Sequence, residues 1–233
     1  MTTSKALCFI PAKAASTRLK KKNILKLGGK EMIYYAINNG LKSGIFEQED
    51  VIVSTESEEI KAIAEKYGAN VPYMRPDKLA RDPYGILDVV LDFLDRFPKN
   101  HTYDTFCTLL PTAPLLIPED IKGAYQVFRN NDFNAVMSVT ETEHSALRSI
   151  YLRDGNVVPI FEEHINKRSQ LLEKTYRLNG AVTFLDIKTL LKERNYFLRP
   201  WGAYAMPSKR SIDIDDEEGY LYAQFLMNRL KTT

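Results

Sequence analysis

Short runs that are apolar at nearly every position, in the first half alternating with stretches of helical periodicity, constrain this 233-residue chain more than any other feature. Residues 6–10 (ALCFI), 51–54 (VIVS), 105–110 (TFCTLL) and 135–139 (AVMSV) are such runs. A strand wetted on one face alternates apolar and polar side chains, whereas a strand buried on both faces is apolar throughout. These runs therefore read as strands of a sheet covered on both sides. Between them, residues 31–42 set Met32, Ile33, Ala36, Ile37 and Leu41 at helical spacing before Ser43-Gly44. Ser57 caps a second helix, with Glu58 and Glu59 in its first turn, that runs to Tyr67 and stops at Gly68. Residues 85–97 place Ile86, Val89, Val90, Phe93, Leu94 and Phe97 on one side, and residues 119–128 form a further helix. The expected fold is α/β, a mostly parallel sheet with helices on both faces. Ligands bind such sheets outside the carboxyl ends of the strands. Two unusual segments fall at such ends: a basic loop after residues 6–10 and the turn PTAP after residues 105–110.

From about residue 140 to 184 the pattern changes. Residues 157–160 and 181–185 read as strands separated by a polar, charge-rich stretch, which predicts an antiparallel hairpin arm at about 140–180 that leaves the main sheet. A strand at 211–214 and a helix at 217–230 then close a single domain. No apolar run approaches the ~20 residues that span a bilayer. Residues 6–10 are too short for the core of a secretory signal, so a cytoplasmic location is expected. Cys8 and Cys107 lie inside apolar runs and read as buried thiols of a reducing compartment. The net charge of +2 is too balanced to suggest a nucleic-acid binder.

The charge is nevertheless uneven. Between Lys13 and Lys30 there are seven Lys or Arg and no acidic residue. In IPAKAASTRLKKKN (10–23) a strand ends, small residues follow and cations cluster. Close backbone N–H groups and fixed positive charge are what a polyphosphate requires. A solvated basic loop is the other reading of the charge run by itself, and the GxxxxGK[ST] of a Walker loop is absent. Near the other end, SIDID (211–215) would project Asp213 and Asp215 from one face of a strand. Such a pair can hold Mg2+ together with phosphate oxygens. The competing duty is to favour the start of the last helix, with Asp216, Glu217 and Glu218.

Residues 10–23 resemble the first motif of the CMP-sialate synthetases (acylneuraminate cytidylyltransferases), written IPARxGSKxLPxKN. Ile10, Pro11, Ala12, Ser16, Leu19, Lys22 and Asn23 match, while Lys13 stands for arginine, Ala15 for glycine and Lys20 for proline. VSTESEEI (53–60) is similar to VSTDSxEI, RPDKLARD (75–82) to RPxxLAxD, and PTAPL (111–115) to QPTSPLR, with PEDI (118–121) following. RSQLLEKTYRLNGAVTF (168–184) resembles RRQxLPxxYRxNGAIYI, and SIDIDDEEGYLYAQ (211–224) resembles SIDIDTxxDLxxAE. Each match is weak alone; their order along most of the chain is not.

The resemblance implies a Rossmann-like sheet whose hairpin arm exchanges between the subunits of a homodimer. It implies CTP and an acidic nine-carbon sugar as substrates and Mg2+ as cofactor. Nucleotide contacts are expected from Ala12, Lys13, Ser16, Lys22, Asn23 and Arg75, and metal binding from Asp213 and Asp215. Catalysis would fall to Lys13, Lys22, Asp213 and Asp215, and sugar contacts to Gln170, Tyr176, Arg177, Asn179, Tyr196 and Phe197. Leu110 and Leu116 stand where the family motif has glutamine and arginine, and Ser169 replaces the second arginine of RRQ. An apolar residue at 110 points to a differently substituted nonulosonic acid. STRL (16–19) is reminiscent of the cytidylyltransferases for the eight-carbon acid Kdo, and the changes at 13–15 would also suit a nucleotide binder with impaired catalysis.

Overall fold

The computed structural model describes residues 5–98 and 100–231. In chain order the elements are β1 (Ala6–Pro11), β2 (Lys26–Leu27), β3 (Lys30–Glu31), α1 (Met32–Lys42), β4 (Val51–Ser54), α2 (Glu58–Lys66), α3 (Ile86–Arg96) and β5 (Thr105–Leu109). There follow α4 (Pro118–Arg129), β6 (Ala135–Glu141), β7 (Ile150–Arg153), β8 (Asn156–Pro159), β9 (Tyr176–Asp186), α5 (Ile187–Glu193), β10 (Trp201–Ala205) and α6 (Glu217–Lys231).

Six strands form one sheet in the order β10-β6-β9-β5-β1-β4. The pairings of β1 with β4 and β5, and of β6 with β10, are parallel, while β9 runs antiparallel to both β5 and β6. The apolar runs are strands because both of their faces are covered. In β1, Cys8 and Ile10 face the layer of α1, α2 and α4, with Ile33, Ile37, Ile60, Ala64 and Phe128. The alternate residues Leu7 and Phe9 face α3 and α5, with Val90, Phe93, Leu94 and Leu190. Phe9 packs between Phe93 and Phe106 at ring separations of 4.9 and 5.2 Å. A third, smaller cluster seats α6 on the β2–β3 turn through Leu27, Met32, Leu115, Ile214, Ala223 and Met227.

The α/β expectation and the hairpin are both present, since β7 and β8 pair only with each other, outside the main sheet. Three features differ from the reading of the sequence. The strand expected at 181–185 extends back to Tyr176 and is the inner strand that joins the two halves of the sheet. Residues 211–214 are extended but not a strand: they cross the strand ends, and Ile214 N–H donates to Thr112 O at 2.8 Å. The edge of the sheet is instead β10, whose sequence WGAYA separates two strand formers, Trp201 and Tyr204, by glycine and alanine and gives no clean apolar alternation.

Cys8 and Cys107 face each other across β1 and β5 as fully buried free thiols, and burial pushes both thiols up. Gly123 of α4 lies against Tyr204 of β10, whose hydroxyl reaches Asp120 Oδ1 at 3.4 Å. A Cβ at position 123 would stand inside the van der Waals surface of that ring. Overpacking costs about 1–3 kcal/mol, more than the up to ~1 kcal/mol that alanine gains over glycine in a helix. Gly123→Ala is therefore expected to lower unfolding stability in a denaturant titration, and a gain in stability would contradict this packing.

Candidate active site

The carboxyl ends of β1, β4 and β5 and the extended segment after β10 surround a cleft of about 320 Å³. The loop after β1 forms one wall. Ala12 is fully buried and its N–H donates to Ser54 O at 2.9 Å, adding one more rung to the β1–β4 pairing. Ala14 N–H then donates to Glu56 Oε1 at 2.6 Å, and Ser16 N–H to Ala14 O at 2.8 Å. Asn23, 5% exposed, donates its amide to Lys13 O at 2.8 Å. These bonds commit the N–H groups of residues 12, 14 and 16 inside the protein, so the loop presents its charge through side chains more than through backbone. Lys13, Ser16, Lys22 and Asn23 line the cleft, whereas Lys21, with φ 52°, turns away to Glu59 at 2.8 Å. Among the described residues no carboxylate pairs with the Lys13 ammonium.

Arg75 stands on the next wall, 5% exposed, with its own N–H on Thr55 O at 2.8 Å and its guanidinium on Glu56. Two buried polar atoms of this cleft, Ser16 Oγ and Arg75 Nε, have no hydrogen-bond partner. Buried donors left unpaired in a cleft are what a polyanionic ligand would satisfy. The N-terminus of α3 adds Gly85, Ile86 and Val89, whose helix dipole favours negative charge there. Leu79, Tyr84 and Leu110 make the apolar part of the lining. Leu110 Cδ1 lies 3.1 Å from where a Cβ on Gly180 would stand, and Gly180 has φ +69°. Any larger residue at 180 would be strained and would press Leu110 into the cleft. Leu116, the other departure from the resemblance, is 2% exposed in the α1–α4 core and does not reach the site.

The last wall is the segment carrying Asp213 and Asp215. Arg210 clamps it to α4 by two bonds to the fully buried Asp120, at 2.7 and 3.0 Å. Ser211 Oγ donates to Pro207 O and accepts from Asn179, each at 2.9 Å. So held, Asp215 accepts from Lys22 Nζ at 2.8 Å and pairs with Arg18 at 2.9 Å. The hydrogen bond from Lys22, then the charges of Lys22 and Arg18, hold the Asp215 carboxyl below the usual range. Desolvation in the cleft and, after it, the Asp215 charge push the Asp213 carboxyl up, against the pull of Thr112, Lys22 and Arg177. The two neighbouring carboxylates thus have opposite electrostatic surroundings.

The residues expected on the sugar side are not gathered in one place. Arg177 reaches the edge of the cleft, donating to Ser211 O at 3.3 Å beside Asp213. Asn179 is 3% exposed, and its amide is spent on Ser138, Ser211 and Ala181 as a support beneath that segment. Tyr176 is half-exposed opposite Glu141, and Gln170 is exposed on the arm. The Tyr196 ring packs on the α3 cluster, its hydroxyl faces Thr108 and Thr183, and burial pushes it up to about 12. Phe197 stacks edge-on against Trp201, at the amino end of β10 and so at the opposite edge of the sheet. Arg18, Glu56, Tyr84 and Thr112 are site residues that the sequence reading did not single out. Arg18 and Glu56 lay within quoted motifs, but no spacing rule shows that a carboxylate 42 residues away meets Ala14.

A family model described as Cytidylyltransferase matches residues 7–203. The pseudaminic acid cytidylyltransferase of Campylobacter jejuni serotype O:2 is 37% identical over 224 residues, which cover 95% of this chain and 96% of that protein. The N-acylneuraminate cytidylyltransferase of Streptococcus agalactiae serotype V is 32% identical over 219 residues, covering 94% of this chain and 52% of that one. Among solved structures, CMP:2-keto-3-deoxy-manno-octonic acid synthetase complexed with CTP superposes with a TM-score of 0.74 at 14% identity, over 97% of this chain and all of that one. At that identity the likeness is one of fold.

The Glu56 carboxyl gives the site a signature in pH. Desolvation raises it, but the bonds from Arg75 and Ala14 outweigh that and hold it below 4.5. A depressed carboxyl contributes stability that is present above the unfolded value and lost as pH falls through the folded one. The stability of the native protein minus that of Glu56→Gln should be constant near neutrality and shrink below about pH 4.5. A difference that grows on acidification would contradict the ion pair.

Proposed function

The chain belongs to the cytidylyltransferase family, and on that premise we propose that it transfers CMP from CTP to an acidic nine-carbon sugar, a nonulosonic acid. The observation that carries the proposal is the convergence of Lys13, Ser16, Lys22 and Arg75 opposite Asp213 and Asp215 in one cleft at the carboxyl edge. The anomeric hydroxyl oxygen bonds to the α-phosphorus and gives up its proton to solvent, as the bond from that phosphorus to the bridging oxygen breaks and pyrophosphate leaves. Lys13, Lys22 and Arg75 offset charge on the triphosphate, and Ser16 Oγ and Arg75 Nε supply the unpaired donors that orient it. Arg177, beside Asp213, is the cation placed to receive the sugar carboxylate. Pseudaminic acid is the first candidate, because the similarity to the Campylobacter enzyme spans both chains and Leu110 makes an apolar floor. The Kdo reading rests on STRL and on nothing in the second half of the chain. Retention of Lys22 and both carboxylates in one cleft speaks against a binder without turnover.

Mg2+ is proposed as the cofactor. Among the described residues no cluster of three His, Cys, Asp or Glu could hold a metal by itself. Asp213 and Asp215 suit instead an ion that takes one or two carboxylates and completes its shell with phosphate oxygens. When bound there, such an ion would polarise the α-phosphate and would lower the pKa of the attacking hydroxyl. Both Asp215 oxygens are engaged by Lys22 and Arg18, so a metal held by this carboxylate would share it with those two cations.

We also propose a homodimer joined through the arm, where β7 and β8 expose Ile150, Tyr151, Leu152, Val157 and Val158. Light scattering that gives a mass of 26.7 kDa at micromolar concentration would overturn it. Among the described residues no helix is long and apolar enough to cross a membrane. A reaction that consumes CTP is placed in the cytoplasm, a location that fractionation of the native cell would test.

Two measurements test the reaction. Pyrophosphate release should require CTP, a nonulosonic acid and Mg2+, with pseudaminate turned over faster than N-acetylneuraminate, legionaminate or Kdo. Equal turnover with ATP or GTP, or full activity after chelation, would sink the proposal. Lys13→Ala should raise the KM for CTP about ten- to a hundredfold, the worth of one charged hydrogen bond. Lys13→Arg should hold or lower it, because a guanidinium can bond two phosphate oxygens at once. An unchanged KM in Lys13→Ala would remove the loop from nucleotide binding.

A further inference from the structure

A carboxylate lies where an anion site has no obvious use for one. Glu56 follows β4, its side chain 10% exposed, between the cation loop and Arg75. One oxygen accepts from Ala14 N–H at 2.6 Å, and the other from the NH2 of Arg75 at 2.5 Å. Its own base is rigid. The neighbouring Thr55 is fully buried and accepts from Arg75 N–H at 2.8 Å and, through its hydroxyl, from Ser57 N–H at 3.1 Å. Ser57 in turn caps α2. A guanidinium is a plane, so fixing one end nitrogen and the backbone below fixes the direction of the others. Here that leaves Arg75 Nε buried and unpartnered, in a residue that lines the cleft. Ala14 follows directly on Lys13 and precedes Ser16 by two residues, so the same carboxylate also sets the path of the loop from which both reach inward.

Resting on the CTP reading, we propose that Glu56 is a positioning residue for nucleotide binding, acting through Arg75 and Ala14. It holds the guanidinium and the tip of the loop in their binding arrangement before the triphosphate arrives, so that binding does not have to order them. Pairing with Arg75 also removes the repulsion that a bare carboxylate would exert on phosphate. The loop here has Ala14-Ala15 with no proline at position 20, and a side-chain latch supplies the order that its own residues do not impose.

The test compares Glu56→Asp, Glu56→Gln and Glu56→Ala by steady-state kinetics in both substrates and by calorimetric titration with CTP alone. An aspartate keeps two acceptor oxygens but ends one C–C bond, about 1.5 Å, short of them. A glutamine of nearly the same volume keeps one acceptor and turns an N–H2 towards a donor. The expected order of CTP KM is native, then Asp, then Gln, then Ala, with Ala raised about ten- to a hundredfold. The kcat should stay within about threefold and the KM for the sugar acid should not move, because the reacting groups are untouched. The dissociation constant for CTP alone should rise in the same order. If Glu56→Ala does not fold, Glu56→Gln carries the test, since it preserves volume and one bond. A folded variant with the native CTP KM and affinity would overturn the inference, as would a loss confined to kcat or to the sugar KM. Native protein that turns over no CTP would instead sink the functional reading, and the two failures are distinct.

Discussion

Cys8 pairs with Val51 on one side and with Cys107 on the other, and this parallel register delivers Pro11, Ser54 and Leu109 to a single edge. The register holds because each of these strands is buried on both faces. A slip of one residue would exchange Leu7 and Phe9 with Cys8 and Ile10 between two different helical layers. The cleft follows from that constraint. The chain leaves β1, β4 and β5 with backbone groups no longer paired within the sheet, and three loops satisfy them locally while side chains turn into the space between.

What closes the cleft is charge, drawn from the far end of the sequence. Lys22 and Asp215 are 193 residues apart and meet at 2.8 Å. Neither would hold its place unaided: Lys22 begins a short turn steadied by Asn23, and Asp215 lies on a segment clamped by the Arg210–Asp120 pair. The buried Asp120 also accepts from Ile117 N–H at the start of α4, so one carboxylate ties a helix to the acidic segment. In and behind the cleft, Asp215 fixes Lys22 and Arg18, and Glu56 fixes Arg75, so the positions of these charges depend on one another. An anion entering it would meet one ammonium without a carboxylate partner among the described residues, Lys13, and would compete with Asp215 and Glu56 for the others.

The arm has a different physical character. β7 and β8 place apolar side chains in solvent on a two-stranded hairpin, a unit that is marginal by itself in water. The main sheet has its core on both faces and exposes large apolar side chains only towards the arm end of β9, at Tyr176 and Leu178, and at Trp201 on the edge strand. The hairpin departs from β6 and returns through β9, the antiparallel strand on which Arg177 sits beside Asp213.

The apolar runs by themselves determined that strands at 6–10, 51–54, 105–110 and 135–139 would form a two-sided sheet, because burial on both faces leaves an unambiguous mark on composition. The cation loop and the carboxylate pair were legible for a similar reason: charge clustered within a few residues is local and stands out in the sequence before any partner is known. Other features required tertiary structure. Residues 211–214 alternate like a strand, yet with no open strand beside them they run across the strand ends instead. Trp201 to Ala205 looks unlike a strand, yet β6 offered an edge and the segment took it. Asn179, in a motif-like stretch, and Tyr196 are polar residues that burial turned into supports, while Glu56, one acid among several in VSTESEEI, became the latch between Ala14 and Arg75. Which polar groups face a ligand and which are consumed inside the protein depends on partners tens of residues away, and those partners meet only when the sheet has set its register.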